Sequence, residues 1–352
     1  MSWVSELARA DIAALKAYEH AAWQPGLTRL HANELPWRAA EDESAAGLNR
    51  YPEPQARGLI ERLAEVYQVS PEQLLIGRGS DEAIDLLVRV FCRAGEDAVL
   101  VCPPTFGMYA VAARIQGARV VQVPLMGAGF ALDARAVLEQ CSPDVKLVFL
   151  CSPNNPTGNL LAEETIITLV DALEGRSLVV VDEAYVEFAS RESLVHLLPH
   201  RPHLALLRTL SKAHGLAGAR LGTLIADPEV IALVRKLLAP YAVPQLILEA
   251  VMTLLSASHL RTLARRIGQV RSERTRMRQT LMELPGVKAV LPSEANFLLA
   301  RFTDPAPALA RAFRAQLLVR DVRGLPALAD ALRITIGTHE QNDRLLASLA
   351  QS

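Results

Sequence analysis

Apolar and polar positions along this chain switch repeatedly between a helical period and short apolar runs. From Gln55 to Tyr67 apolar residues recur at helical spacing. L-L-I-G then reads as a short strand, followed by a two-glycine turn and a cap-like Ser80-Asp81 that opens an amphipathic helix. The alternation continues. D-A-V-L-V-C-P-P predicts a strand stopped by prolines, and T-F-G-M-Y-A-V-A-A-R-I-Q-G a helix stopped by glycine. R-V-V-Q-V-P predicts a strand, D-A-R-A-V-L-E-Q a helix, and V-K-L-V-F-L-C-S-P-N-N-P-T-G a buried strand running into a tight loop. Residues 162–173 predict a helix, and S-L-V-V-V-D a strand buried on both faces. A-L-L-R-T-L-S-K and G-T-L-I-A-D predict two more strands. Strands separated by helices imply right-handed crossovers and a mostly parallel central sheet, an α/β class. Ligands collect at the carboxyl ends of such strands, and Asn155, Asp182 and Lys212 all lie just past them.

The flanks differ. Ahead of Pro25-Gly26, E-L-A-R-A-D-I-A-A-L-K-A-Y predicts a helix in an arm over residues 1–30, packing with the smaller unit or a partner subunit. Residues 228–283 read as helical with a break at Pro240 and Pro244. After Leu284-Pro285-Gly286 short strands are expected around V-K-A-V-L, N-F-L-L-A-R-F, L-L-V-R-D and L-R-I-T-I-G, with helices at 306–316 and 339–350. The expected division is an arm at 1–30, a large ligand-binding unit at 31–283 and a small α+β unit at 284–352.

Composition narrows the function classes. With 37 basic against 38 acidic residues and no block of one sign, neither nucleic acid nor an anionic membrane is suggested as a partner. The N-terminus carries acids where a signal peptide has its apolar core, and no stretch approaches a membrane span. Cys92, Cys102, Cys141 and Cys151 have no zinc-ligand or C-x-x-C spacing, so a reduced, cytoplasmic setting and no metal are expected.

Chemistry centres on Lys212. Asp182 ends a doubly buried strand, where a carboxylate needs a cationic partner. Lys212 follows Ser211 in a Gly- and Ala-rich turn, with Arg220 eight residues on, which suits an amine beside a bound phosphate. The glycine turn into the helix at Ser80 suits phosphate too, provided the carboxylates of Asp81 and Glu82 point away. A covalent lysine, a carboxylate for a ring nitrogen and a phosphate cradle are the needs of pyridoxal phosphate (PLP).

H-A-N-E, R-Y-P-E-P, R-G-S-D-E-A-I-D-L-L, C-P-P-T-F-G-M-Y, C-S-P-N-N-P-T-G, V-D-E-A-Y, T-L-S-K, G-L-A-G-A-R-L-G, S-E-A-N-F and L-R-I-T-I-G-T occur in that order along nearly the whole chain. In these motifs the chain resembles the fold-type I PLP-dependent aminotransferases, the branch acting on histidinol phosphate above all. The resemblance implies that Lys212 bonds the cofactor, Asp182 faces its ring nitrogen, and Asn155 and Tyr185 donate to its ring oxygen. It places Ser80, Asp81, Ser211 and Arg220 around the phosphate and Phe106 against the ring. Tyr51 is implied to reach the cofactor of a partner subunit, hence a homodimer. Arg333, with Arg320, Tyr18 and Asn33, is implied to bind substrate. The implied reaction is amino transfer between histidinol phosphate and 2-oxoglutarate, giving imidazole acetol phosphate and glutamate in histidine biosynthesis. An aromatic amino-acid aminotransferase and a decarboxylase of phosphorylated amino acids share the same frame. A ligand-sensing regulator would need a DNA-binding domain, for which the residues before Asn33 are too few. Phe106, His214 and the P-Y-A-V-P stretch at Tyr241 depart from the family's usual residues.

Overall fold

The computed structural model describes residues 3–21, 24 and 26–351, so Pro25 of the expected turn lies outside the described residues. Seven strands form the large sheet: β1 (Leu74–Gly77), β2 (Ala98–Val101), β3 (Arg119–Gln122), β4 (Val145–Cys151), β5 (Leu178–Asp182), β6 (Leu204–Thr209) and β7 (Gly222–Ala226). Their order is β1-β7-β6-β5-β4-β2-β3. The run from β3 to β6 is parallel, and β7 is antiparallel to both neighbours. The continuous apolar runs are explained by two cores, one on each face. Val179 and Val181 of β5 enter one core, and Leu178 and Val180 enter the other. Each such fully buried side chain contributes about 1.5–3 kcal/mol of burial.

The second sheet is antiparallel throughout, in the order β10-β11-β9-β8. It comprises β8 (Val287–Val290), β9 (Phe297–Phe302), β10 (Arg320–Asp321) and β11 (Ala331–Thr335). Its core takes Met277 and Leu281 from the long helix Ala257–Glu283, with the apolar faces of helices Pro305–Arg314 and His339–Ala350.

Three expectations are corrected. The N-terminal pattern forms two short helices, Trp3–Leu7 and Ala10–Ala14, and does not reach Tyr18. The break falls at Arg9, whose N–H donates to Val90 O at 3.0 Å while its guanidinium donates to Arg89 O. Val4 of the first helix and Ala8 between the two join a core of the large sheet. The L-L-V-R-D strand shrinks to Arg320–Asp321, because its first residues still close the preceding helix: Gln316 takes a left-handed φ of 58° and the Leu317 N–H donates back to Ala312 O at 2.9 Å. The 228–283 stretch breaks a second time, between helices Gln245–Leu254 and Ala257–Glu283. No single helix among the described residues is long and apolar enough to cross a membrane.

Candidate active site

Strands β4, β5 and β6 are adjacent and parallel, so the segments leaving their carboxyl ends meet. They deliver Asn155, Asp182 with Tyr185, and Ser211 with Lys212 to one cavity of about 520 Å³. All the candidates except Tyr18, Asn33 and Tyr51 line it.

Asp182 is 2% exposed and makes no ion pair among the described residues. Its Oδ2 accepts from the Tyr109 hydroxyl at 2.7 Å and its Oδ1 from the Ala184 N–H at 3.0 Å. Burial pushes its carboxyl above the ordinary value, opposed by those two hydrogen bonds and by Lys212. The cationic partner expected from the sequence is therefore absent from the neighbouring side chains. A buried carboxylate with no cation in ion-pair contact suits a ligand that brings one.

Lys212 faces the open cavity, with Nζ 5.6 Å from the centre of the Tyr185 ring. Burial among the cavity walls, and then the Arg333 charge, hold its amine below the usual lysine value, while Asp182 and Asp81 oppose them. Tyr185 packs edge-on against Phe297 at 5.2 Å, and burial pushes its phenol up, so it stays a hydroxyl donor. The Asn155 amide oxygen accepts from Arg333 Nη1, which leaves the amide N–H groups free to donate into the cavity.

The opposite end is an anion cradle. Gly79, at φ 82°, turns β1 into the helix Ser80–Phe91, whose first N–H groups have no side-chain cap. Glu82 points away as required, because its carboxylate is held by the Arg78 backbone N–H at 2.7 Å and by the Arg78 guanidinium. Asp81 does not: it lines the cavity and pairs with Arg220 at 3.3 Å. Arg220 Nη1 also reaches Ser211 Oγ at 3.4 Å, so an anion here would exchange with Asp81 for that guanidinium.

Gly222 makes the cradle possible. A Cβ there would stand 2.2 Å from Ser80 N and 2.4 Å from Gly79 C, so the turn lies against bare backbone. Gly222→Ala is expected to cost about 1–3 kcal/mol by overpacking and to weaken phosphate binding, which thermal unfolding with and without added PLP would measure.

Arg320 and Arg333 sit directly opposite each other on β10 and β11 and share the cavity rim. Asp321 is taken by Arg323 at 2.7 Å, and Arg320 makes no side-chain hydrogen bond or ion pair among the described residues. Burial lowers the Arg333 pKa, with the Arg320 charge adding to the effect, and its buried Nε has no partner.

Tyr18, Asn33 and Tyr51 lie elsewhere. Tyr51 stacks on Tyr241 at 4.4 Å and donates its N–H to Glu34, beside Asn33, and Tyr18 is 71% exposed. Of the departures, Phe106 lines the cavity, whereas His214 turns away towards Glu187 Oε1 at 3.9 Å, in a buried group with Arg208. Sequence reading missed Tyr109, Thr105 and Asn154. Asn154 is buried and braces the loop through Pro104 O at 2.9 Å and Thr105 Oγ1 at 2.8 Å. A polar aromatic inside an otherwise apolar helix face was the available signal for Tyr109.

Residues 29–349 match the family model described as aminotransferase class I and II. The chain belongs to this family. A histidinol-phosphate aminotransferase of Xanthomonas axonopodis pv. citri is 51% identical over 100% of this chain and 98% of its own length. Among solved structures, the histidinol-phosphate aminotransferase of Sinorhizobium meliloti in complex with pyridoxal-5'-phosphate superposes with a TM-score of 0.79 at 26% identity, covering 86% of this chain and 82% of that one. The L-threonine-O-3-phosphate decarboxylase of Porphyromonas gingivalis gives 0.73 at 26% identity, covering 86% and 90%. The fold-type I scaffold is thus shared with a second reaction class, and the reaction has to be argued from the site.

Proposed function

We propose that this protein is a PLP-dependent aminotransferase that exchanges the amino group between histidinol phosphate and 2-oxoglutarate. The observation that carries the substrate is the cross-strand pair Arg320 and Arg333 on the rim of the cavity. A phosphate dianion is better served by two guanidinium forks than by one. The 51% identity to a histidinol-phosphate aminotransferase over the full chain supports the same substrate.

The residues fit the cofactor. Asp182, buried and without a cation of its own, holds a proton at the ring nitrogen. The free Asn155 amide N–H and the Tyr185 hydroxyl, both in the cavity, would donate to the ring oxygen, and Phe106 would pack against the ring. Ser80, Ser211, Arg220 and the helix N-terminus hold the phosphate. When bound, the cofactor supplies an electron-withdrawing ring that stabilises the charge left when the substrate's Cα–H bond breaks. Lys212 Nζ, its pKa already lowered, takes that proton, and Arg320 and Arg333 hold the substrate's anion so that the Cα–H faces the amine.

Exposed apolar side chains gather between Tyr18 and Tyr51, including Leu30 at 91% and Trp37 at 73% exposure, beside Leu27, Leu35 and Leu48. A surface of this kind supports a homodimer in which Tyr51 completes the partner's site, with Tyr18 and Asn33 near it. The proposed division is an arm (1–30), a large unit (31–283) and a small unit (284–352), in a cytoplasmic enzyme. Light scattering should return a dimer. Mixing inactive Tyr51→Ala and Lys212→Ala subunits should restore up to about a quarter of wild-type activity if about half of the dimers are hybrids, each with one of its two sites rebuilt; no recovery after exchange would place Tyr51 outside a shared site.

Assaying the purified protein with histidinol phosphate, phenylalanine and tyrosine as donors tests the substrate, and borohydride reduction followed by peptide mapping tests the cofactor. Fixation of the chromophore on a lysine other than Lys212 would overturn the cofactor assignment.

A further inference from the structure

The Tyr109 side chain is fully buried, in the helix Met108–Gln116 that packs on the sheet behind the cavity. Its ring stacks on Phe149 of β4, with centroids 4.9 Å apart and planes within 4°. Its other side meets Phe106, the aromatic wall of the cavity, edge-on at 5.5 Å. Locked between these rings, its hydroxyl has one direction to point, and there it donates to Asp182 Oδ2 at 2.7 Å. The Ala184 N–H pins the other oxygen, so the plane of the carboxylate is set by two donors from different elements.

We infer that Tyr109 is a positioning residue for the proposed reaction: it fixes the Asp182 carboxylate and keeps it ionised, so that the proton shared with the bound cofactor stays on the ring nitrogen. The inference rests on the PLP reading given above. Tyr109 is the only side chain that hydrogen-bonds Asp182 among the described residues. The other groups facing this carboxylate are Lys212, which favours its charge, Asp81, which opposes it, and Cys151 and Tyr185. Burial pushes the Cys151 thiol up to about 12 and keeps the Tyr109 and Tyr185 phenols protonated, so neither Cys151 nor Tyr185 adds a second negative charge beside Asp182. Removing one charge-assisted hydrogen bond raises the proton affinity of a buried carboxylate by roughly tenfold or more. A more basic Asp182 would draw the proton off the ring nitrogen and weaken the ring as an acceptor of the electron pair from Cα.

The test is Tyr109→Phe, which removes one oxygen and leaves the ring stack, loaded with PLP carrying nitrogen-15 in the ring. In the wild type the nitrogen-15 shift should be that of a protonated ring. In the variant it should move towards the unprotonated value, with kcat down about tenfold or more and KM for the donor little changed. An unaltered shift in a variant that is folded and loaded would overturn the inference while leaving the cofactor reading intact. Failure of the wild type to bind PLP would overturn both. If Tyr109→Phe does not fold, fluorotyrosine at position 109 supplies a stronger donor of nearly the same shape. The pH at which the ring nitrogen loses its proton to solvent should then fall below the wild-type midpoint, because a stronger donor to Asp182 weakens that carboxylate's hold on the shared proton, and an unchanged midpoint would count against the proposal.

Discussion

Lys212→Ala is expected to lower kcat by at least about 10²- to 10⁴-fold, the range attributed to a positioned acid–base group, while PLP still binds through its phosphate and ring contacts. The reason lies in the division of labour across the cavity. Ser80, Ser211 and Arg220 at one end and Asp182 at the other line the cavity and would hold the two ends of the cofactor without the lysine. Among the described residues lining the cavity between them, Lys212 carries the only amine. Lys212→Arg is the sharper control. It keeps a positive charge, but a guanidinium stays protonated in proteins and takes up no proton from Cα, so it should be as inactive as the alanine variant. A small primary amine in the buffer should restore part of the activity to Lys212→Ala and none to Lys212→Arg. Equal rescue of both, or residual turnover within about tenfold of wild type, would remove Lys212 from the proton transfer.

Much of this frame is readable from sequence because the sheet is buried on both faces. L-V-V-V-D has no polar position until Asp182, and that strand end is where the cavity lies. What a one-dimensional pattern lacks is direction and partner choice. G-T-L-I-A-D reads the same whether β7 runs with or against β6; the short connection from Thr209 to Gly222, without a crossover helix, returns it antiparallel. The N-terminal pattern is misread for a related reason. Helical periodicity runs through Arg9, but a backbone bond to Val90 is available only once the helix Ser80–Phe91 is in place, and it breaks the local helix.

The site divides along the same line. Residues in loops at strand ends announce themselves, because Asn155, Asp182, Ser211 and Lys212 are polar interruptions of apolar runs. Tyr109 is hidden because it sits on a helix face packed against the sheet, where an aromatic ring is ordinary core, and only the direction of its hydroxyl gives it a role. Tyr18, Asn33 and Tyr51 were legible only through family resemblance. In a single chain they lie away from the cavity, on a surface whose exposed Leu30 and Trp37 argue for a second subunit.

Arg320→Ala should lower kcat/KM for histidinol phosphate well over tenfold and affect phenylalanine much less. Two like charges directly opposite on paired strands oppose folding by roughly 0.2–1 kcal/mol, and among the described residues neither guanidinium has a carboxylate ion pair, Asp321 being held by Arg323. Without ligand, then, Arg320 offers the fold nothing, and the variant should match or slightly exceed the wild type in Tm. With a phosphate monoester bound, the second fork supplies a charge-assisted hydrogen bond of about 1.5–3 kcal/mol, or about 10- to 150-fold in an equilibrium constant. A carboxylate carries one charge and two oxygens, which Arg333 alone can meet, so phenylalanine and the 2-oxoglutarate half-reaction should lose far less. Arg333→Ala should damage all of them, because it also releases the Asn155 amide oxygen that it holds. Equal losses for both donors on Arg320→Ala, together with a fall in Tm, would make Arg320 a structural residue. A wild-type preference for phenylalanine over histidinol phosphate would replace the proposed substrate with an aromatic amino acid.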